Sequence, residues 1–312
     1  MRGLILLIVS MTVATCFRHT YRHHARLRRY PKVTEVKAVP VVLWHGMGDS
    51  CCNPLSMGSI KALIQQNVKG VYVKSLMFGH NIASDVELGF VANVNELVKN
   101  ACEQIRNDSQ LQFGYNAIGF SQGAQFLRAV AQRCPDPPMK NLISVGGQHQ
   151  GIFGMPYCLG DWWLCNAIRK LLDIGAYKDY IQKRVVQAQY WHDPYHEEEY
   201  KNDSIFLADI NNERAINPDY KKNLLKLKNI LLIMFKQDEM VVPKESSWFG
   251  FYKEGQLDVI LSMNQTRLYK EDRIGLKKLY ETGRLHFLAV EGNHLKIRRD
   301  EFVKEVIEKF LI

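Results

Sequence analysis

The 312-residue sequence has no C-x-x-C pair, no histidine cluster beside the six cysteines between residues 51 and 165, no internal repeat and no low-complexity tract. The first two absences exclude a structural zinc site, whose ligands come in closely spaced pairs. The other two exclude solenoids, propellers and compositionally biased disordered chains. A bilayer-crossing helix is missing as well. It takes about 20 apolar residues, and the longest apolar run, GLILLIVSMTVAT at residues 3–15, is too short. A charge surplus in the body of the chain is also lacking. Residues 1–40 hold eight Lys or Arg against one acidic residue and supply +7 of the net +9. The rest is close to neutral, so the basic balance gives no argument for nucleic-acid binding.

At the N-terminus, residues 1–15 read as a secretory signal, with small residues around Ala14 as a cleavage point. Residues 16–39, which include FRHTYRHHARLRRYPK with its five Arg, read as a basic linker or pro-segment. Setting aside Cys16, which falls with the signal, leaves Cys51, Cys52, Cys102, Cys134, Cys158 and Cys165. An even set behind a signal points to disulfides formed in an oxidising compartment. Sequence alone leaves many pairings open, and proximity favours 51–52, 102–134 and 158–165. Three N-x-[ST] sequons, at Asn107, Asn202 and Asn264, are expected glycosylation sites on surface loops if the chain is secreted.

Short β-branched runs recur at 41–44, 70–76, 115–120, 141–147, 229–235 and 284–290, each reading as a fully buried strand. Helical patterns at about 85–106, 122–133, 267–282 and 299–311 alternate with them, which predicts an α/β fold with a mostly parallel central sheet. Residues 40–312 are expected to form one domain of this kind, interrupted by a helical insertion at about 151–225. The start of that insertion is rich in bulky apolar residues, among them Ile152, Phe153, Met155, Trp162, Trp163, Leu164, Ile168, Leu171, Leu172 and Ile174. It reads as a cap with its own small core, and as a lid offering an apolar wall to a greasy substrate.

The most informative stretch is GYNAIGFSQGAQFLRAVAQRC, residues 114–134, in which a strand turns at Gly-Phe-Ser-Gln-Gly and continues as a helix. G-x-S-x-G alone occurs by chance in about one chain in ten of this length. A serine on a strand-to-helix elbow, however, is where a nucleophile belongs. Its hydroxyl needs a base, an acid to orient that base and two donors for the developing oxyanion. In α/β-hydrolases the order is Ser, acid, His, each delivered after a strand. Downstream of Ser121, the strand at 229–235 is followed by Asp238, and the strand at 284–290 by His294. Asp193, Asp209 and Glu239 compete less well for the acid, and His45, His149 and His286 for the base. The oxyanion donors are expected to be the N–H groups of Gln122 and of Met47, which Gly46 and Gly48 flank in the loop after the first strand.

WHGMGDSCCNPLSMG, GYNAIGFSQGAQFLRAVAQRCPDPPMKNLISVGGQHQG, YWHDP, SIFLADINNER and SSWFGFY together resemble the palmitoyl-protein thioesterases, in their lysosomal form, from about residue 40 to the C-terminus. The resemblance implies an α/β-hydrolase fold and a soluble lysosomal glycoprotein that needs no cofactor and no metal. It implies removal of long-chain fatty acyl groups from cysteine thioesters of S-acylated proteins, with delivery through the secretory pathway, partial secretion and a glycan-reading sorting receptor. It places nucleophile, acid and base on Ser121, Asp238 and His294, the oxyanion donors on the Met47 and Gln122 amides, and disulfides at 51–52, 102–134 and 158–165. The same residues would serve a carboxylesterase or lipase acting on oxygen esters. A hydrolase-fold lipid carrier without turnover is the non-enzymatic alternative.

Overall fold

The computed structural model of the protein describes residues 38–154 and 163–312. The expected signal and nearly all of the basic linker lie outside the described residues. So do Cys158, Met155 and Trp162, and the side chains of Trp163, Leu164 and Cys165.

Six of the apolar runs form one sheet of six parallel strands: β1 (Val41–Trp44), β2 (Val73–Ser75), β3 (Tyr115–Phe120), β4 (Met139–Val145), β5 (Asn229–Phe235) and, last, β8 (Leu285–Val290). Between the last two, β6 (Phe251–Tyr252) and β7 (Ile260–Leu261) pair as a separate antiparallel ribbon. The reason for the continuous apolar runs is visible in the cores. Successive residues of a strand point to opposite faces, and here both faces are covered. In β1, Val42 and Trp44 enter one core while Val41 and Leu43 enter the other; β5 divides the same way, with Ile230 and Leu232 opposite Leu231, Ile233 and Phe235. Parallel strands joined by helical crossovers produce this double burial.

The strand order is β2-β1-β3-β4-β5-β8. The chain leaves β1 toward one edge and returns to β3 on its other side, so the loops after β1 and β3 diverge. A crevice opens at that switch point, outside the C-terminal ends of the strands.

Helices α1 (Met57–Asn67), α2 (Ile82–Leu88), α3 (Val94–Arg106) and α4 (Gln122–Arg133) connect the first four strands. The helix expected at 85–106 is therefore two helices. The break follows Gly89 and ends at Asn93, whose side chain accepts from the Asn95 N–H and caps α3. The pattern at 267–282 likewise breaks into Arg267–Lys270 and Leu276–Glu281, around Asp272 and Gly275 with φ of 47° and 91°. Between β4 and β5 lie α5 (Trp163–Gly175) and several shorter helices. Ile168 and Leu172 of α5 pack with Phe90, Ile181 and Val185 in a small core of their own. Disulfides join Cys51 to Cys52, and Cys102 of α3 to Cys134 at the end of α4.

The closest packing in the sheet is between α4 and the strand ends beneath it. A Cβ on Gly123 would sit 2.5 Å from the Trp44 carbonyl oxygen and 2.7 Å from that of His45, and one on Gly119 would sit 2.3 Å from the Gly123 oxygen. Backbone atoms cannot give way as a flexible side chain can. Gly123→Ala is expected to destabilise the fold on the order of 3 kcal/mol by overpacking, measurable as a lower urea midpoint at unchanged slope.

Candidate active site

Ser121 sits where β3 turns into α4, with φ 53° and ψ −124°. A non-glycine residue held at positive φ is strained, and surrounding structure has to over-determine it. Here the Ser121 N–H donates to the Val145 carbonyl at 2.8 Å and its own carbonyl accepts from the Ala124 N–H at 2.9 Å. The elbow is fixed from both sides, and the side chain is thrown into the crevice.

His294 and Ser121, 173 residues apart, meet there: Nε2 lies 2.9 Å from the Ser121 Oγ. On the far side of the ring, Nδ1 lies 2.7 Å from Asp238 Oδ2. The other carboxylate oxygen of Asp238 accepts the N–H groups of Met240 and Val241, both at 2.9 Å. The acid therefore has its charge satisfied and its direction set by backbone donors. Gly146, with φ 63°, leaves room for the imidazole, since a Cβ there would come within 3.1 Å of the ring.

Met47 lines the cavity over Ser121, and Gln122 follows the serine directly in the chain. Gln122 is the first residue of α4, so its N–H is among those without an intrahelical acceptor, at the positive end of the helix. Gly46 packs against Ser121, 3.0 Å from a Cβ built on it to the serine Cβ. Two buried networks surround Gln122 and the 46–48 loop. The Gln122 side chain donates to the Gly89 carbonyl at 3.0 Å and accepts from Tyr190 at 3.3 Å and Gln187 at 3.4 Å. Behind the 46–48 loop, His45 lies between the Gly46 carbonyl at 2.8 Å and Asp85 at 3.3 Å. Asp85 also accepts the N–H groups of Cys51 and Phe78, each at 2.9 Å. Burial raises the Asp85 pKa, but hydrogen bonds from His45, Cys51 and Phe78 outweigh it and hold the carboxyl below its ordinary value.

The competing residues are occupied elsewhere. Asp209 binds Arg133 and Tyr220, Asp193 binds His196, and Glu239 contacts Asn293. His286 faces Asn229. His149 bonds Ser144 and stacks on Phe249, and burial followed by the nearby Arg128 charge holds it well below the usual histidine range. Reasoning from sequence missed Gln148, whose buried amide donates to the Ser121 Oγ at 3.0 Å. It follows β4 in GGQHQG, and only its place after a strand end at the crevice could have marked it.

The cavity over Ser121 measures about 440 Å³. An apolar wall formed partly by the insertion is the expectation, and Ile152 and Tyr190 of the insertion line the cavity. Leu55, Met57, Ile60, Phe120, Leu295 and Ile297 line it, and of the apolar residues singled out in the insertion only Ile152 does so among those described. Ile168 and Leu172 are consumed in their own core, and Ile174 is half exposed. Among the described residues, no group of three or more His, Cys, Asp or Glu is arranged to hold a metal ion. No helix among them is long and apolar enough to cross a membrane. Asn107, Asn202 and Asn264 are all exposed.

Parallel strands that bring Ser, Asp and His to one edge in that order, with the serine on a strand-to-helix elbow, define the α/β-hydrolase class. The family model for palmitoyl protein thioesterases matches residues 40–294. The chain is 67% identical over 276 residues to palmitoyl-protein thioesterase 1 of Caenorhabditis elegans, covering 88% of this chain and 93% of that protein. It is 33% identical over 274 residues to palmitoyl-protein thioesterase 3 of Dictyostelium discoideum, covering 88% of this chain and 91% of that one. It is also 33% identical over 173 residues to lysosomal thioesterase PPT2 of Homo sapiens, covering 54% of this chain and 56% of that protein. The chain belongs to the palmitoyl protein thioesterase family, and it is a thioesterase.

The depressed Asp85 carboxyl gives a pH-dependent prediction. A carboxyl held below its unfolded value contributes stability that is present above about pH 4 and is lost as pH falls through the folded pKa. Asp85→Asn is therefore expected to be less stable than the parent at pH 5–7, with the difference closing toward pH 3. Urea unfolding of both proteins across that range checks it, and a gap independent of pH would contradict it.

Proposed function

We propose that the protein hydrolyses long-chain fatty acyl thioesters on cysteines of S-acylated proteins or peptides through an acyl-enzyme on Ser121. The observation that carries the reading is the placement of His294 within hydrogen-bond reach of both Ser121 and Asp238. In the first half-reaction His294 Nε2 takes the Ser121 proton as Oγ attacks the thioester carbonyl carbon. The N–H groups of Met47 and Gln122 receive the oxyanion, and Gln148 adds a third donor beside the reacting oxygen. Collapse breaks the carbon–sulfur bond, His294 returns the proton to the departing cysteine sulfur, and the acyl group stays on Ser121. Water, deprotonated by the same histidine, then releases the fatty acid. Asp238 holds the imidazole in the tautomer that both steps need and stabilises the imidazolium. No step calls for a cofactor or metal.

The acyl chain is assigned to the groove between α1 and the 295–297 segment. Its volume of about 440 Å³ falls in the ordinary range of ligand pockets, about 300–1,000 Å³. We further propose delivery to the lysosome through the secretory pathway, some secretion and sorting by glycan recognition. The apolar segment at 3–15, the two disulfides, the exposed sequons and relatives named as lysosomal thioesterases support that route.

Two outcomes are expected. Ser121→Ala should fold normally and lose about 10⁴-fold or more in turnover; near-normal turnover would place the nucleophile elsewhere. Specificity, kcat/KM, should rise across acyl thioesters from two to sixteen carbons. Each methylene buried contributes about 0.8 kcal/mol, so ten supply on the order of 8 kcal/mol before losses from ordering the chain. A flat or falling series would refute the groove. Matched oxygen esters, assayed beside the thioesters, should turn over more slowly.

A further inference from the structure

A second cavity, of about 340 Å³, lies away from Ser121 and plays no part in the chemistry above. Trp248, Met263, Tyr269, Tyr280 and Phe287 line it, together with Asn264. The rings form a continuous edge-to-face cluster: Trp248 to Phe287 at 5.4 Å, Phe287 to Tyr280 at 6.2 Å and Tyr280 to Tyr269 at 6.3 Å. Two of them face solvent substantially, Tyr280 at 52% and Phe287 at 37% exposure. Phe287 belongs to β8, the terminal strand of the sheet. That strand reads LHFLAV and carries none of the Lys, Glu or Pro residues that commonly guard a sheet edge. Exposed rings beside an unguarded edge offer a surface that a ligand with an apolar face can cover.

The cover is named by the sixth wall residue. Asn264 opens the sequon Asn-Gln-Thr and is exposed. Its Oδ1 accepts from the Ser262 hydroxyl at 2.7 Å, which orients the amide without using Nδ2. We propose that Asn264 carries an N-linked glycan whose first N-acetylglucosamine packs its apolar face on the Tyr280–Phe287 rings, shielding the patch and the β8 edge. The new bond joins Asn264 Nδ2 to the anomeric carbon of the sugar. The amide gives up one proton, and the leaving group is the lipid diphosphate of a lipid-linked oligosaccharide donor. A pyranose matches the site because its axial C–H groups meet the ring faces while its hydroxyls stay in water. The inference rests on the secretory route proposed above.

The test uses the full chain expressed through a secretory pathway. Peptide mapping after glycosidase release in heavy-oxygen water reads occupancy at Asn107, Asn202 and Asn264 separately. Asn264 is expected to be occupied. An endoglycosidase that leaves one N-acetylglucosamine should leave Tm unchanged, whereas complete removal should lower it by about 2 °C or more and speed aggregation. In Tyr280→Ala the same removal should shift Tm much less, because the platform is gone. An empty Asn264 beside an occupied Asn107 or Asn202 would overturn the proposal and leave the route intact. An equal Tm loss in both backgrounds would also overturn it. If all three sequons were empty, the route and the proposal would fall together.

Discussion

A helix can begin directly over two strand ends only where no side chain stands between the backbones. Gly123 meets that condition: the Trp44 and His45 carbonyls occupy the space where its Cβ would be. The elbow, the position of the start of α4 and the approach of the 46–48 loop all depend on this contact. Lift α4 by the width of a methyl group, and the Gln122 N–H, the Ser121 Oγ and Gly46 cease to surround one point. The positive φ at Ser121 belongs to the same constraint, because the chain must reverse within a single residue between two packed elements.

Around this contact the protein surrounds the site with buried polar groups linked to one another by hydrogen bonds. Gln122, Gln187, Tyr190 and the Gly89 carbonyl form one network, and His45, Asp85 and the Cys51 and Phe78 N–H groups another. A buried donor left without its partner loses about 1–3 kcal/mol, so such networks resist rearrangement. In the proposed mechanism they fix the backbone amides where charge develops, which avoids reorganisation at the moment of reaction. The loop after β1 is stiff for this reason, despite its two glycines.

Much of this was legible in the sequence, for identifiable reasons. Double burial wrote the strands as unbroken apolar runs, and all six sheet strands fall within three residues of where those runs place them. Chain order narrowed the acid and base to Asp238 and His294, because each follows a buried strand directly. What escaped notice depends on contacts between distant segments. Gln148 and Asp85 look like ordinary polar residues until β4 and α2 are brought beside β1 and β3. The α2–α3 break hides because Gly89 and Asn93 interrupt a pattern whose apolar spacing stays in phase. Part of the apolar wall was expected from the insertion because greasy residues are dense there, and Ile152 and Tyr190 do line the cavity, but density does not reveal which residues face it. Ile168 and Leu172 turn inward, and the shorter segments at 55–60 and 295–297 supply Leu55, Met57, Ile60, Leu295 and Ile297 to the lining.

The distance along the chain between Ser121 and His294 has a consequence for how activity is acquired. The contact between Ser121 and His294, 173 residues apart, requires β8 to be seated beside β5, which β4 joins to β3. Ser121 can reach its strained elbow with the first half of the sheet and still lack a base. The chemistry therefore switches on with the last strand pairing, so that turnover reports completion of the entire sheet and a partly folded chain stays silent.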